Sequence, residues 1–306
     1  MKKILTLSLL FIGLHTYAQK AKLELNLQKD STYLLSVAAD MDIDQLLNGA
    51  HQLVKTTVTG TTAHKVTAIK DTLYEMEVTY KKLGMHIQMG DKEMGFSSEA
   101  GADDLMSKVI KIMINKPFII TMSKRGQIVE VKNIDSLFSG MAKEFPQVGE
   151  LQLTQIMAQM KQSFGEKSIK GNLQETFVIF PKAPVSVTGM WTTLTTMDAA
   201  AISVKTLTKY TLDAITDKYY QVSGAAVITP DKVPAFKQSN GYFMRLTQAT
   251  GNYTAKLKID KTTGWVTESH ITKNISATMQ AKKTATGPVE LSYPMKIAMK
   301  FTGSDK

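Results

Sequence analysis

Apolar and polar residues alternate one by one through most of this chain. Leu23, Leu25 and Leu27 alternate with Lys22, Glu24, Asn26 and Gln28, and Tyr74, Met76, Val78 and Tyr80 alternate with Glu75, Glu77 and Thr79. Successive side chains of a β-strand point to opposite faces, so such runs suit strands with one face buried and the other wet. The same period runs through the Thr- and Val-rich stretch 52–66, and later through 202–215, 219–228, 251–260, 265–277 and 291–302. Turn residues punctuate it at Lys29-Asp30-Ser31, Gly90-Asp91 and Lys124-Arg125-Gly126, and 230–241 reads as a loop. Long strands joined by short turns make antiparallel sheet and argue against an all-helical or doubly wound fold.

The period changes to that of a helix in two places. In 103–114, Leu105, Met106, Val109, Ile110 and Met113 share one helical side, with Asp103 and Asp104 at the positive end of the helix dipole and Pro117 beyond its end. The second place is the middle of the chain. There 134–145 brings together Leu137, Phe138 and Met141 after an N-cap at Asn133 or Asp135, and Pro146 ends the run. Next, 151–164 lines up Leu153, Ile156, Met157, Met160 and Phe164, and 168–180 carries Leu173, Phe177 and Phe180 before Pro181. The stretch 40–49, acidic with Ile43, Leu46 and Leu47, fits neither period.

The two β halves echo each other. Ala68-Ile69-Lys70-Asp71-Thr72-Leu73-Tyr74 is matched by Ala214-Ile215-Thr216-Asp217-Lys218-Tyr219-Tyr220. The Ser123–Gly126 turn before Ile128-Val129-Glu130 is matched by Asp260–Gly264 before Trp265-Val266-Thr267-Glu268. The expected fold is therefore α+β: a curved antiparallel β-sheet built from two related meanders, 19–132 and 182–306, with helices from 133–181 covering one face. Together they make one compact unit.

Met1–Ala18 has the three parts of a secretory signal. Lys2 and Lys3 precede a short apolar core from Ile4 to Leu14, and Thr16-Tyr17-Ala18 sets a cut before Gln19. No later run is long and apolar enough for a transmembrane helix. The chain has no cysteine, which removes both disulfides and a lipid-acylated junction. These features predict an exported protein, periplasmic or secreted, soluble after cleavage. Lys and Arg number 37 against 27 Asp and Glu, a formal charge of +10. That excess suits acidic partners such as anionic headgroups, and it equally describes solvated strand faces. No compact basic cluster interleaved with aromatics marks a nucleic-acid surface.

Motifs that carry chemistry are absent from the sequence. His51, His64, His86 and His270 stand apart in alternating segments, with no His-x-x-x-His pair and no thiolate, so neither a metal nor another cofactor is expected. There is no Gly-x-Ser-x-Gly and no GxxxxGK[ST] phosphate loop. Asp103 and Asp104 point about 100° apart on a helix and serve the dipole rather than paired catalysis. The reading is of a protein that is not an enzyme, although carboxylates dispersed in sequence would escape it. Methionine is abundant, with 18 copies. Unbranched, polarisable Met adapts to ligands of variable shape and also fills irregular cores. Met106, Met113, Met141, Met157 and Met160, with Phe164 and Phe177, are the candidates to line a ligand cavity.

At Phe180-Pro181-Lys182-Ala183-Pro184-Val185-Ser186-Val187, with Gly189-Met190-Trp191 and later Thr263-Gly264-Trp265, the chain resembles a family of exported envelope proteins from Gram-negative bacteria. That family is itself of unknown function, and the resemblance carries over no catalytic residue. A fold-level likeness is to periplasmic lipoprotein carriers, and it implies a curved sheet covered by helices around an apolar cavity. Two functions follow as expectations. One is binding of an apolar or amphipathic ligand such as a lipid. The other is a structural or interaction module with a solid core that engages an envelope partner through its sheet edges.

Overall fold

The computed structural model describes residues 20–306 except 100, 102, 103, 147, 200, 201 and 240. Residues 1–18, expected from their sequence to be a secretory signal, and Asp103 lie outside the described residues.

The first meander is β2 (Thr32–Leu47), β3 (Ala50–Lys70) and β4 (Leu73–Met89), after a short β1 (Lys20–Ala21). β5 (Lys92–Ser97) returns along the far half of β4; then come α1 (Leu105–Met113) and the hairpin β6 (Pro117–Ser123) and β7 (Ile128–Lys132). A 3-10 turn (Ile134–Phe138) and three helices follow: α2 (Met141–Glu144), α3 (Glu150–Phe164) and α4 (Glu166–Thr176). The second meander runs from β8 (Val185–Ser186) through β9 (Met190–Ala199), β10 (Ile202–Ile215), β11 (Tyr219–Pro230), β12 (Lys237–Ser239), β13 (Tyr242–Asp260) and β14 (Val266–Lys282) to β15 (Leu291–Ser304).

Among the described residues thirteen strands form one antiparallel sheet, with the long path β7-β6-β4-β3-β2-β15-β14-β13-β11-β10-β9. The halves join where β15 pairs with β2, from Met295 opposite Gln45 to Ser304 opposite Ser36. Strands of 16, 21 and 17 residues are too long to stay flat. Register shifts at Thr61/Thr62, Val66/Ala68, Leu212/Ala214 and Thr247/Thr250 bend them further.

The curvature brings the two ends of the sheet to one helix. On α4, Lys170 Nζ donates to Val129 O of β7 at 2.7 Å. The Gln174 amide mimics a strand, accepting from the Ile128 amide at 2.7 Å and donating to Gly126 O at 3.2 Å. The helix also meets β9, where Gly171 lies beside the Met197 side chain. An eleven-residue helix is about 16 Å long, so both edges flank it closely. The sheet is an open curved shell, and α4 occupies its gap.

The echoed turns are built alike. The Lys124 amide donates to Thr72 O at 2.8 Å, and the Lys261 amide to Lys218 O at 2.9 Å. Gly126 and Gly264 both take positive φ, at +80° and +70°. An extended segment presses on each glycine: a Cβ would stand 2.2 Å from Val178 O at Gly126 and 2.1 Å from Glu24 O at Gly264.

Several sequence expectations are corrected here. Residues 22–28 alternate but join no sheet ladder. They cross the turns, where the Leu25 amide donates to Lys124 O and that of Asn26 to Thr263 O, with Leu23, Leu25 and Leu27 buried beneath. The ambiguous 40–49 is the end of β2 and its turn to β3, with Asp40 and Asp44 bonded to Thr57 and His51 of β3. The run 134–145 is broken by Gly140 in the left-handed region, and Asn133 caps it without a side-chain bond. The helix expected over 168–180 ends at Thr176, because Phe177–Phe180 must extend to cross Gly126. The loop 230–241 contains β12.

His64 departs from the expected strand-face histidine. It is fully buried, edge-on to Phe177 and Trp265 at ring separations of 5.9 and 5.3 Å. Its Nε2 meets Thr62 Oγ1 at 2.9 Å, and its Nδ1 has no partner among the described residues. Burial lowers its pKa to about 3, so the folded protein keeps it neutral where the unfolded chain protonates it. With the folded pKa below the unfolded one, stability is lost as pH falls from 6.5 towards 3. Denaturant titrations at pH 7 and pH 5 are expected to differ by about 2 kcal/mol from this group. In His64→Phe that part of the slope is expected to disappear; an unchanged slope would show that another group sets it.

Candidate functional site

Between the inner face of the shell and the helices lies a cavity of about 600 Å³, within the usual range for small-molecule sites. The sheet supplies Val37 and Met41 from β2, Met85 and Ile87 from β4, and Met299 and Phe301 from β15. Met106 and Ile110 of α1, Met160 and Phe164 of α3, and Ile169 and Leu173 of α4 close the other side. The first turn of α1 is held in place twice. Asp104 caps it through the Ser107 amide and hydroxyl, which hold the carboxyl below its usual range, and Ser107 Oγ accepts from the Ser97 amide of β5 at 2.9 Å.

One charged pair stands in the wall. Lys273 of β14 is 8% exposed, and its Nζ lies 2.6 Å from Glu175 Oε2 of α4. The ammonium also sits 5.9 Å from the Tyr253 ring. Burial raises the pKa of that phenol, so it stays protonated. Asn172, Thr176 and Thr62 add neutral polar groups.

A second depression, about 720 Å³, lies mainly against the outer face of the same strands, with Ser36, Thr61, Lys82, Glu99, Glu268 and His270. Four of its charged or titratable side chains are already paired. Glu268 pairs with Lys258 at 2.5 Å and His270 at 3.0 Å, which hold its carboxyl below the usual range, and Lys82 pairs with Glu99 at 2.9 Å. Such exposed pairs contribute little energy and form no recess for an apolar ligand.

Of the residues proposed from sequence, Met106, Met160 and Phe164 line the cavity. Met113 and Met141 are buried in the core away from it, Met157 packs on that core without reaching the cavity, and Phe177 belongs to the His64–Trp265 cluster. Sequence reasoning missed the strand methionines and Lys273. The signal for them is nevertheless present: 295–301 carries Met295, Ile297, Met299 and Phe301 on one face, and Lys273 interrupts the inward series Ile271, Ile275. Among the described residues no group of three His, Asp or Glu is placed to hold a metal. No helix among them is long and apolar enough to cross a membrane.

A family model matches residues 71–266, from the first echoed turn to the start of β14. The chain belongs to a family of unknown function (DUF6263). The match takes in the helices of the cavity, β4 and part of the second meander, whereas β2 and β15, which supply much of the sheet wall, lie outside it. No curated protein matches the sequence. Among solved structures, one titled for lipid–protein interactions in lipovitellin is similar over 92% of this chain at 9% identity and a TM-score of 0.49. The chain spans 25% of the length of that protein. An outer membrane channel from Pseudomonas putida F1 is similar over 92% of this chain and 97% of its own, at 7% identity and a TM-score of 0.27. OpdQ from Pseudomonas aeruginosa follows, with 89% and 98% covered, 6% identity and a TM-score of 0.22. These likenesses are too distant to place a function on the chain.

Proposed function

We propose that this is an exported, non-enzymatic envelope protein that binds an apolar or amphipathic ligand, such as a lipid, inside its shell. The observation that carries this reading is the 600 Å³ cavity, whose wall is mostly Met, Phe, Ile, Leu and Val. Withdrawing apolar ligand surface from water contributes roughly 25 cal/mol per Å². Met41, Met85, Met106, Met160 and Met299 let one site accept chains of differing shape. Export rests on the Lys2–Ala18 pattern, and the absence of catalysis on the sparse polar groups at the wall. The test is titration with an environment-sensitive naphthylamine dye, followed by displacement with a fatty acid or lysophospholipid. Saturable, displaceable fluorescence is expected; a folded protein that leaves the dye dark would refute the reading.

A second reading, engagement of an envelope protein partner, is favoured by a row on the outer face. Leu194, Leu207 and Val227 lie directly opposite one another on β9, β10 and β11, at 61%, 51% and 58% exposure. An exposed apolar row that ends on an edge strand is a contact site rather than a stability element. If it is used, Leu207→Lys will abolish crosslinking to the partner in whole cells while leaving dye binding unchanged. Crosslinking equal to wild type would exclude this row.

A further inference from the structure

We infer that the cavity takes a single-chain amphiphile with an anionic head, carboxylate or phosphate, and that Lys273 receives the head. This rests on the ligand-binding reading above and adds the class of ligand.

Lys273 stands where alternation calls for an apolar side chain. Its strand neighbours on the inner face are Ile271 and Ile275, and its cross-strand partners are Tyr253 and Met299. Desolvating an ammonium costs several kcal/mol, which its partner must offset. The partner present is poorly suited to that task. Glu175 is the penultimate residue of α4, and a carboxylate in the last turn opposes the helix dipole. The Glu175 side chain is 43% exposed and that of Lys273 only 10%, so the carboxylate can move into water while the ammonium stays in the wall. The geometry therefore describes an exchangeable counter-ion. An anionic head entering the cavity would take the place of Glu175 on Nζ, with its chain along Met299, Phe301, Met41 and Met85. A charge-assisted hydrogen bond in a dry site is among the strong ones. Releasing Glu175 would also free α4 from β14, so the head would be read by the helix that fills the gap of the shell.

The test displaces the naphthylamine dye from the full mature protein with three ligands of equal chain length: a fatty acid, the fatty alcohol, and a lysophosphatidic acid. The acid, the lysophosphatidic acid or both are expected to bind at least tenfold more tightly than the alcohol, about 1.4 kcal/mol. The preferred one of the two identifies the head. In Lys273→Met that preference is expected to vanish, acid and alcohol then binding within about threefold of each other, and in Glu175→Gln anion binding should tighten. The double variant Lys273→Met with Glu175→Gln, which leaves no unpaired charge, should behave like Lys273→Met. Equal binding of acid, lysophosphatidic acid and alcohol to wild type would overturn the anionic head and leave the cavity reading standing. So would an anion preference that survives in both Lys273 variants. If the dye and all three ligands fail to bind folded protein, the cavity reading falls and this inference with it.

Discussion

Gly264→Ala is expected to destabilise the protein by about 3 kcal/mol or more. Two costs add at this position. A left-handed backbone costs a non-glycine residue roughly 1–2 kcal/mol. The new methyl would also stand 2.1 Å from Glu24 O and 2.9 Å from Leu25 Cα, so the crossing segment must lift. That segment carries Leu23, Leu25 and Leu27, all buried, and its Leu25 O accepts from the Tyr74 hydroxyl of β4 at 3.0 Å. Re-exposing even one buried leucine costs about 1.5–3 kcal/mol. Gly49 provides the internal control. It has φ +79° with nothing within 4 Å of a Cβ, so Gly49→Ala carries only the backbone cost. Urea midpoints of the two variants measure the difference. Equal destabilisation would show that the crossing segment contributes nothing.

Ala39→Trp is expected to abolish ligand binding, by tenfold or more, with folding stability changed by less than about 1.5 kcal/mol. Ala39 lines the cavity from β2, between Val37 and Met41 along the strand and opposite Phe301 and Val58 across it. In a close-packed core the added indole would force its neighbours apart. Here it has empty space to enter, and it competes with the ligand for the same apolar contacts. Dye titration beside a denaturation curve separates the two effects. A variant that unfolds, or one that binds like wild type, would place the cavity elsewhere.

The sheet is legible in the sequence because strict alternation over long runs fits a half-buried strand and fits a 3.6-residue period poorly. The paired turns, at Asp71 and Asp217 and at Gly126 and Gly264, mark where the strands reverse. What escapes depends on contacts between distant segments. Residues 22–28 have a strand's pattern, yet their amides bond to turns at Lys124 and Thr263 instead of a neighbouring strand. Phe177 and Phe180 share a helical period with Leu173, but the close approach to Gly126 requires extended chain there. The cavity is half legible. Helical spacing finds Met106, Met160 and Phe164, and does not distinguish helical faces that meet the hollow from those that meet the filled core around Met113 and Met141. The strand methionines fit the alternation whether their face encloses a hollow or a packed core. Lys273 shows itself only as a break in an inward series, and its meaning depends on Glu175, far away in the chain.

That the shell is hollow in order to hold an apolar molecule is tested most directly by mass spectrometry of organic extracts from the purified protein. Ala39→Trp and a mock purification serve as controls. A reproducible amphiphile near one per protein, with an anionic head, is expected with wild type and is expected to be absent from both controls. Folded wild-type protein with clean extracts, and no binding of added fatty acid, alcohol or lysophospholipid, would contradict a ligand-holding shell.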